Sequence, residues 1–204
     1  MKSIENSVVD VITQGDEIGT IVLLHGYGAD SEDMNFLEKH WKKMTPNWKI
    51  ISINGPIALN PGYAWFDLYS PNWLDDIEES ALYVEEMFSS YDKKLIFCGF
   101  SQGAFLSSYL GLYSKLQIDG CICFSGGIIP INKIPKQTPM FLIHGDADEV
   151  IQKDWYMQSI SFAQENNLPI DGKLIRNMEH EINEEAFFLA TDCLKKILHP
   201  AFFS

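Results

Sequence analysis

Gly99-Phe100-Ser101-Gln102-Gly103 sets a serine between two glycines, directly after the apolar run Leu95–Cys98 and at the start of a helical segment. At ordinary Gly and Ser frequencies this pattern arises by chance in roughly one chain of this length in fifteen. Its surroundings therefore carry the weight. A strand, a tight turn and a helix in that order form a nucleophile elbow. The glycines remove side chains that would collide across the turn, and Ser101 projects its hydroxyl above the sheet. The Gln102 N–H, first in the helix, faces the place where an oxyanion develops. The chemistry of such a serine is acyl transfer; the alternative is a plain glycine-containing turn between strand and helix.

A serine hydroxyl is a poor nucleophile without a base. Elbow enzymes carry their partners in the chain order Ser, Asp or Glu, His. Only His180 and His199 follow the later acidic candidates. His199 stands before Pro200 at the end of a predicted helix and reads as a helix terminus. His180 falls in the loop before that helix, where an imidazole can hang over the strand ends. The acid belongs after the run Met140–His144, where Asp146, Asp148, Glu149 and Asp154 are candidates. Asp148 is preferred, because Val150-Ile151 anchors the loop behind it and a buried carboxylate there would hold the imidazole tautomer and stabilise its cation. Asp146 is its rival. His25-Gly26-Tyr27-Gly28 follows Ile21–Leu24 directly, and its glycines let the backbone approach closely. The second oxyanion donor is therefore assigned to the Tyr27 backbone N–H. His25 and His144, each opening a His-Gly pair at a strand end, read as structural residues bonded to neighbouring loops.

These residues need a frame. Candidate strands are Val8–Thr13, Thr20–Leu24, Lys49–Ile53, Lys94–Cys98, Gly120–Phe124, Met140–His144 and Gly172–Arg176. The runs Ile21–Leu24, Leu95–Cys98, Cys121–Phe124 and Met140–Ile143 are continuously apolar, the pattern of strands covered on both faces. Helices are expected over Asp33–Met44, Asp75–Ser90, Gln102–Ser114, Lys153–Asn166 and Asn183–Leu198, the last capped by Asn183 and stopped before Pro200. In Asp75–Ser90, Ile77, Ala81, Val84, Met87 and Phe88 share a face. Strand alternates with helix, which predicts an α/β fold with a mostly parallel sheet. With no linker-like stretch, residues 1–204 read as one domain.

Asp and Glu number 28 against 15 Lys and Arg, a formal charge of -13 that repels phosphate backbones and anionic headgroups. That predicts no nucleic-acid partner and no constitutive membrane-surface role. No run of eighteen or more apolar residues occurs, so no membrane-spanning helix is expected. The N-terminal Met1–Asn6 lacks the apolar core of a signal peptide. Cys98, Cys121, Cys123 and Cys193 match no zinc or Cys-x-x-Cys spacing. Three of them lie in strand-like runs, where a thiol behaves as a small hydrophobe. The simplest reading is a reduced, cytoplasmic protein that needs neither metal nor organic cofactor.

With these residues in place, the chain resembles the phospholipase/carboxylesterase group of α/β-hydrolases, which includes acyl-protein thioesterases. The resemblance rests on Leu24-His25-Gly26-Tyr27-Gly28-Ala29-Asp30, Gly62-Tyr63-Ala64-Trp65-Phe66-Asp67, Gly99–Ala104, His144–Asp148 and His180-Glu181-Ile182. It implies an α/β-hydrolase fold without a large lid domain, Ser101, Asp148 and His180 as the triad, and Tyr27 and Gln102 amides as the oxyanion hole. It also raises Trp65 and Phe66 as candidates for the acyl pocket, with plain packing the preferred reading. One departure stands out: Glu179 occupies the place before the base histidine where the family commonly has Gly. A carboxylate there either alters the imidazole or points to solvent, the reading preferred here. The expected activity is hydrolysis of carboxylic esters. The alternatives are thioester cleavage on an acylated protein, lysophospholipase activity, and a non-catalytic scaffold that binds a ligand or partner. A dienelactone-type hydrolase usually carries Cys at the nucleophile position, where this chain has Ser101.

Overall fold

The computed structural model describes residues 16–199. Among the described residues six parallel strands form the central sheet: β1 (Gly19–Leu24), β2 (Trp48–Ile53), β5 (Lys94–Phe100), β6 (Gly120–Phe124), β7 (Met140–Gly145) and β8 (Ile170–Ile175). Their spatial order is β2-β1-β5-β6-β7-β8. Helices α1 (Asn35–Trp41), α2 (Trp73–Met87), α3 (Gln102–Tyr113) and α4 (Asp154–Glu165) lie in crossovers between strands, β6 passes to β7 without a helix, and α5 (Glu184–Leu198) follows β8. Among the described residues no helix is long and apolar enough to cross a membrane.

The continuous apolar runs arise because successive strand side chains point to opposite faces and both faces are buried. Val22, Leu24, Phe97, Cys121 and Cys123 join one apolar layer with Ala81, Val84 and Leu106 from α2 and α3. Ile21, Leu23, Ile96, Cys98, Ile122 and Phe124 join the other, with Leu37 and Trp41 of α1 and Ala190 and Leu194 of α5. Helix α3 is buried on all sides from Gln102 to Leu112. A helix sandwiched in this way shows no amphipathic stripe.

Most predicted elements differ from the observed ones only at their ends. Helix α1 is shorter than the expected Asp33–Met44. At its start the Asp33 carboxylate accepts the Asp30 N–H at 2.9 Å, which holds Asp33 in a turn. At its end the Trp41 carbonyl accepts the Met44 and Thr45 amides and the Thr45 hydroxyl. Asn183 caps α5 as its sequence suggests, its side-chain oxygen accepting the Ala186 N–H at 2.9 Å. The hairpin of β3 (Ile57–Ala58) and β4 (Tyr63–Ala64) was not foreseen, since two-residue strands are too short to show a period. The expected strand Val8–Thr13 lies outside the described residues.

From β1 the sheet extends to β2 on one side and to β5 on the other. The crevice at such a reversal, beyond the carboxyl ends of the strands, is where open α/β sheets bind ligands. His25-Gly26-Tyr27 leaves the end of β1 there, and Ser101 stands at the end of β5.

Candidate active site

Ser101 connects β5 to α3 with φ 53° and ψ -116°. This conformation costs a non-glycine residue on the order of 1–3 kcal/mol and persists only where the surroundings impose it. Here they do: the Ser101 N–H donates to the Phe124 carbonyl of β6 at 2.9 Å, and the Ser101 carbonyl accepts the Ala104 N–H at 2.9 Å. A Cβ on Gly99 would overlap the Gly103 carbonyl, and one on Gly103 would overlap the Leu24 carbonyl of β1. The two glycines thus let α3 start pressed against both β5 and β1, with the Ser101 side chain turned outward over the crevice.

His180 bridges the serine and an acid. Its Nδ1 lies 2.8 Å from Asp148 Oδ2, and its Nε2 lies 3.0 Å from Ser101 Oγ. A carboxylate only accepts, so Nδ1 carries the proton and Nε2 is left to accept from the serine hydroxyl. The Asp148 side chain is fully buried, and its other oxygen accepts the Val150 and Ile151 N–H groups at 2.9 and 2.8 Å. Those bonds, with the imidazole, satisfy a carboxylate withdrawn from water. Asp146, the rival, points elsewhere and accepts the Asn177 N–H at 2.6 Å. Glu149 and Asp154 are exposed. His144 is buried, its Nε2 donating to the Ile151 carbonyl at 2.7 Å and thereby tying down the Asp148 loop from below. Glu179 is exposed, in keeping with a carboxylate turned to solvent.

The loop after β1 is held by His25. Its Nδ1–H donates to the Gly26 carbonyl at 2.7 Å, and its Nε2 accepts the Gly55 N–H at 3.0 Å. Burial pushes its pKa below the ordinary value, against the weaker opposing pull of the Gly26 carbonyl and of Asp30 and Asp33. The neutral imidazole is the form that both hydrogen bonds require. Gly26 and Tyr27 line the same cavity as Gln102.

Sequence reasoning used only the Gln102 backbone, yet its side chain is a clamp. Its carbonyl oxygen accepts the Trp65 N–H at 2.8 Å, and its amide donates to the Phe66 carbonyl at 2.6 Å. Trp65 is fixed further by its indole N–H, which donates to the His25 carbonyl at 2.9 Å, and by the Ser80 hydroxyl, which donates to the Trp65 carbonyl. Phe66 lines the cavity. Trp65 is not among the lining residues: it is 1% exposed, in keeping with plain packing.

The cavity has a volume of about 740 Å³ and opens over Ser101 and His180. One wall is a chain of aromatic rings: Phe66 to Trp73 at 6.4 Å between centroids, Trp73 to Trp155 at 6.4 Å, and Trp155 to Phe105 at 5.1 Å. Trp73, Phe105 and Trp155 carried no functional signal in the sequence. They come from the starts of three different helices and meet only because those helices converge on the same end of the sheet. The arrangement is suited to nucleophilic attack on an acyl group whose chain is held by apolar surface.

The chain matches the Phospholipase/Carboxylesterase family over residues 7–198. Acyl-protein thioesterase 1 homolog 1 of Dictyostelium discoideum is 28% identical to it, over 88% of this chain and 90% of that protein. The crystal structure of esterase PE8 superposes with a TM-score of 0.83 at 26% identity, over 94% of this chain and 98% of the other. That of Zea mays acyl-protein thioesterase 2 gives a TM-score of 0.75 at 23% identity, over 94% and 98%.

Proposed function

Because the chain belongs to the phospholipase/carboxylesterase family of serine hydrolases, with their α/β-hydrolase fold, we propose that it hydrolyses carboxylic esters and thioesters through Ser101, His180 and Asp148. The observation that supports this reading most is the His180 imidazole, within hydrogen-bond reach of both Asp148 Oδ2 and Ser101 Oγ.

In the proposed cycle His180 Nε2 takes the Ser101 proton as Oγ bonds to the acyl carbon. Asp148 keeps the imidazole oriented and stabilises the cation that forms. The oxyanion is received by the N–H groups of Tyr27 and Gln102. One such donor contributes about 2.7–4 kcal/mol to lowering the barrier. The Ser101 amide is committed to Phe124, whereas the Gln102 amide opens α3, where the positive end of the helix dipole lies. When the tetrahedral adduct collapses, the carbon–leaving-group bond breaks and His180 returns its proton to the leaving oxygen or sulfur. Water, deprotonated by the same imidazole, then releases the acid and restores Ser101.

Ester and thioester share this chemistry. A protein thioester as substrate is favoured by the name of the Dictyostelium discoideum relative, and a simple ester by that of esterase PE8. Rates on p-nitrophenyl esters of increasing acyl length, measured beside an S-acylated peptide, separate them. A steep preference for the peptide supports the thioesterase reading, and a short-chain ester optimum supports the carboxylesterase. A fluorophosphonate probe should label wild type and fail to label Ser101→Ala. A wild-type protein that escapes labelling and turns over none of these substrates would be a binding scaffold, and the proposal would fall.

A further inference from the structure

The cavity straddles the end of the sheet, and its two sides differ in chemistry. The side formed by Phe66, Trp73, Phe105, Ile151 and Trp155 belongs to the apolar layer of α2, α3 and α4 and holds no charged group. The opposite side, with Met34, Phe100 and Ile182, belongs to the layer of α1 and α5. Asp33 and Glu181, the carboxylates that the described residues contribute to the lining, are the chain neighbours of Met34 and Ile182 on that side. Among the described residues no Lys or Arg lines the cavity. Both carboxylates are exposed, and Asp33 is held in place by the Asp30 N–H.

Proton delivery orients a substrate between these sides. The leaving atom takes its proton from His180 Nε2, so the leaving group must pass beside His180. Glu181 is the next residue in the chain and lines the same cavity. An acyl chain then occupies the aromatic side, where nothing charged has to be desolvated. The leaving group emerges past Asp33 and Glu181, in the field of a chain whose formal charge is -13.

We propose that Asp33 and Glu181 make the site selective for acyl groups carried on a positively charged leaving group. The carrier that fits is a peptide whose acylated cysteine is flanked by lysines, and a polyanionic carrier such as coenzyme A is disfavoured. This inference rests on the proposed Ser101 chemistry.

The test compares octanoyl thioesters of two peptides that differ only in Lys or Glu on either side of the acylated cysteine. Octanoyl-coenzyme A is added as a second anionic carrier, and p-nitrophenyl octanoate is the uncharged reference. Wild-type kcat/KM should favour the Lys peptide over the Glu peptide on the order of tenfold at low ionic strength. Coenzyme A should fall with the Glu peptide, and the preference should shrink in about 0.5 M salt. Glu181→Gln and Asp33→Asn should each lower the Lys-to-Glu ratio. Glu165→Gln, the same charge change at the opposite end of α4 from Trp155, should leave it in place. The ratio is internal to each variant, so a general loss of activity cancels. A wild-type ratio near one, a preference for the anionic carriers, or a ratio unchanged in both cavity variants overturns the proposal. Failure of wild type to turn over the p-nitrophenyl ester strikes the Ser101 reading itself and is distinguished in that way.

Discussion

The Gln102 side-chain oxygen accepts the backbone N–H of Trp65 at 2.8 Å, tying the first residue of α3 to a segment 37 positions earlier. With the bond from Gln102 Nε2 to the Phe66 carbonyl, it sets the aromatic wall of the cavity at a defined distance from Ser101. The Gln in the elbow and the Trp-Phe pair are therefore two halves of one contact.

Gln102→Leu should leave two buried backbone groups unpaired, each at a cost of about 1–3 kcal/mol. Urea denaturation should report that loss. Phe66 should lose its position as well, raising KM for long acyl chains more than for short ones. Unchanged stability together with an unchanged chain-length profile would show that the clamp is dispensable.

Asp148→Asn should lower kcat by about four orders of magnitude, because the neutral amide removes the charge that holds the imidazole tautomer. Its oxygen can still accept the Val150 and Ile151 amides, so circular dichroism should remain native. Asp146→Asn, at a carboxylate that accepts the Asn177 amide rather than facing His180, should keep kcat within about tenfold of wild type. Comparable losses in the two variants would contradict the assignment of Asp148.

The buried neutral His25 links stability to pH. Its folded pKa lies below the ordinary value of about 6.5, so the unfolded chain binds the proton more tightly. The stability contributed by this group is present above about pH 6.5. It is lost progressively as pH falls from there toward the depressed folded value. His25→Gln should flatten the fall in Tm between about pH 7 and 5 relative to wild type. An identical slope in the two proteins would assign the acid sensitivity to other groups.

All four cysteines are free and buried, and burial raises their thiols, Cys121 and Cys193 to about 12 and Cys98 and Cys123 well above their ordinary value. Thiolate is the reactive form. The native protein should therefore react with Ellman's reagent only as it unfolds, and all four thiols should titrate in denaturant. Rapid reaction of the native state would point to a thiol more accessible than the fold allows.

The α/β alternation and the parallel sheet were legible because the inner strands β1, β5, β6 and β7 are covered on both faces and so write themselves as unbroken apolar runs, whereas the edge strand β8 alternates with exposed Asp171 and Lys173. The elbow was legible for a related reason: Leu95–Cys98, the Gly-flanked Ser101 and α3 are contiguous, so the whole device lies within about fifteen residues of chain. His180 could be reached by chain order alone. Asp148 could not be separated from Asp146 in the same way. The two lie two residues apart in one loop, and only the tertiary position of β8 and the loop after it turns one toward His180 and the other toward Asn177.

Trp65 and Phe66 repeat the lesson. They are adjacent aromatics of similar character, yet one is bonded to the His25 carbonyl beneath the wall and the other forms the wall. By itself, the sequence determined the fold class and singled out Ser101 and His180 as the candidate nucleophile and base, because local periodicity and chain order encode them. Tertiary structure decided which carboxylate meets His180, the Gln102 clamp and the convergence of aromatic and acidic residues on one cavity. Those depend on which way side chains point where distant helix ends and loops converge on one edge of the sheet, and no local pattern records that direction.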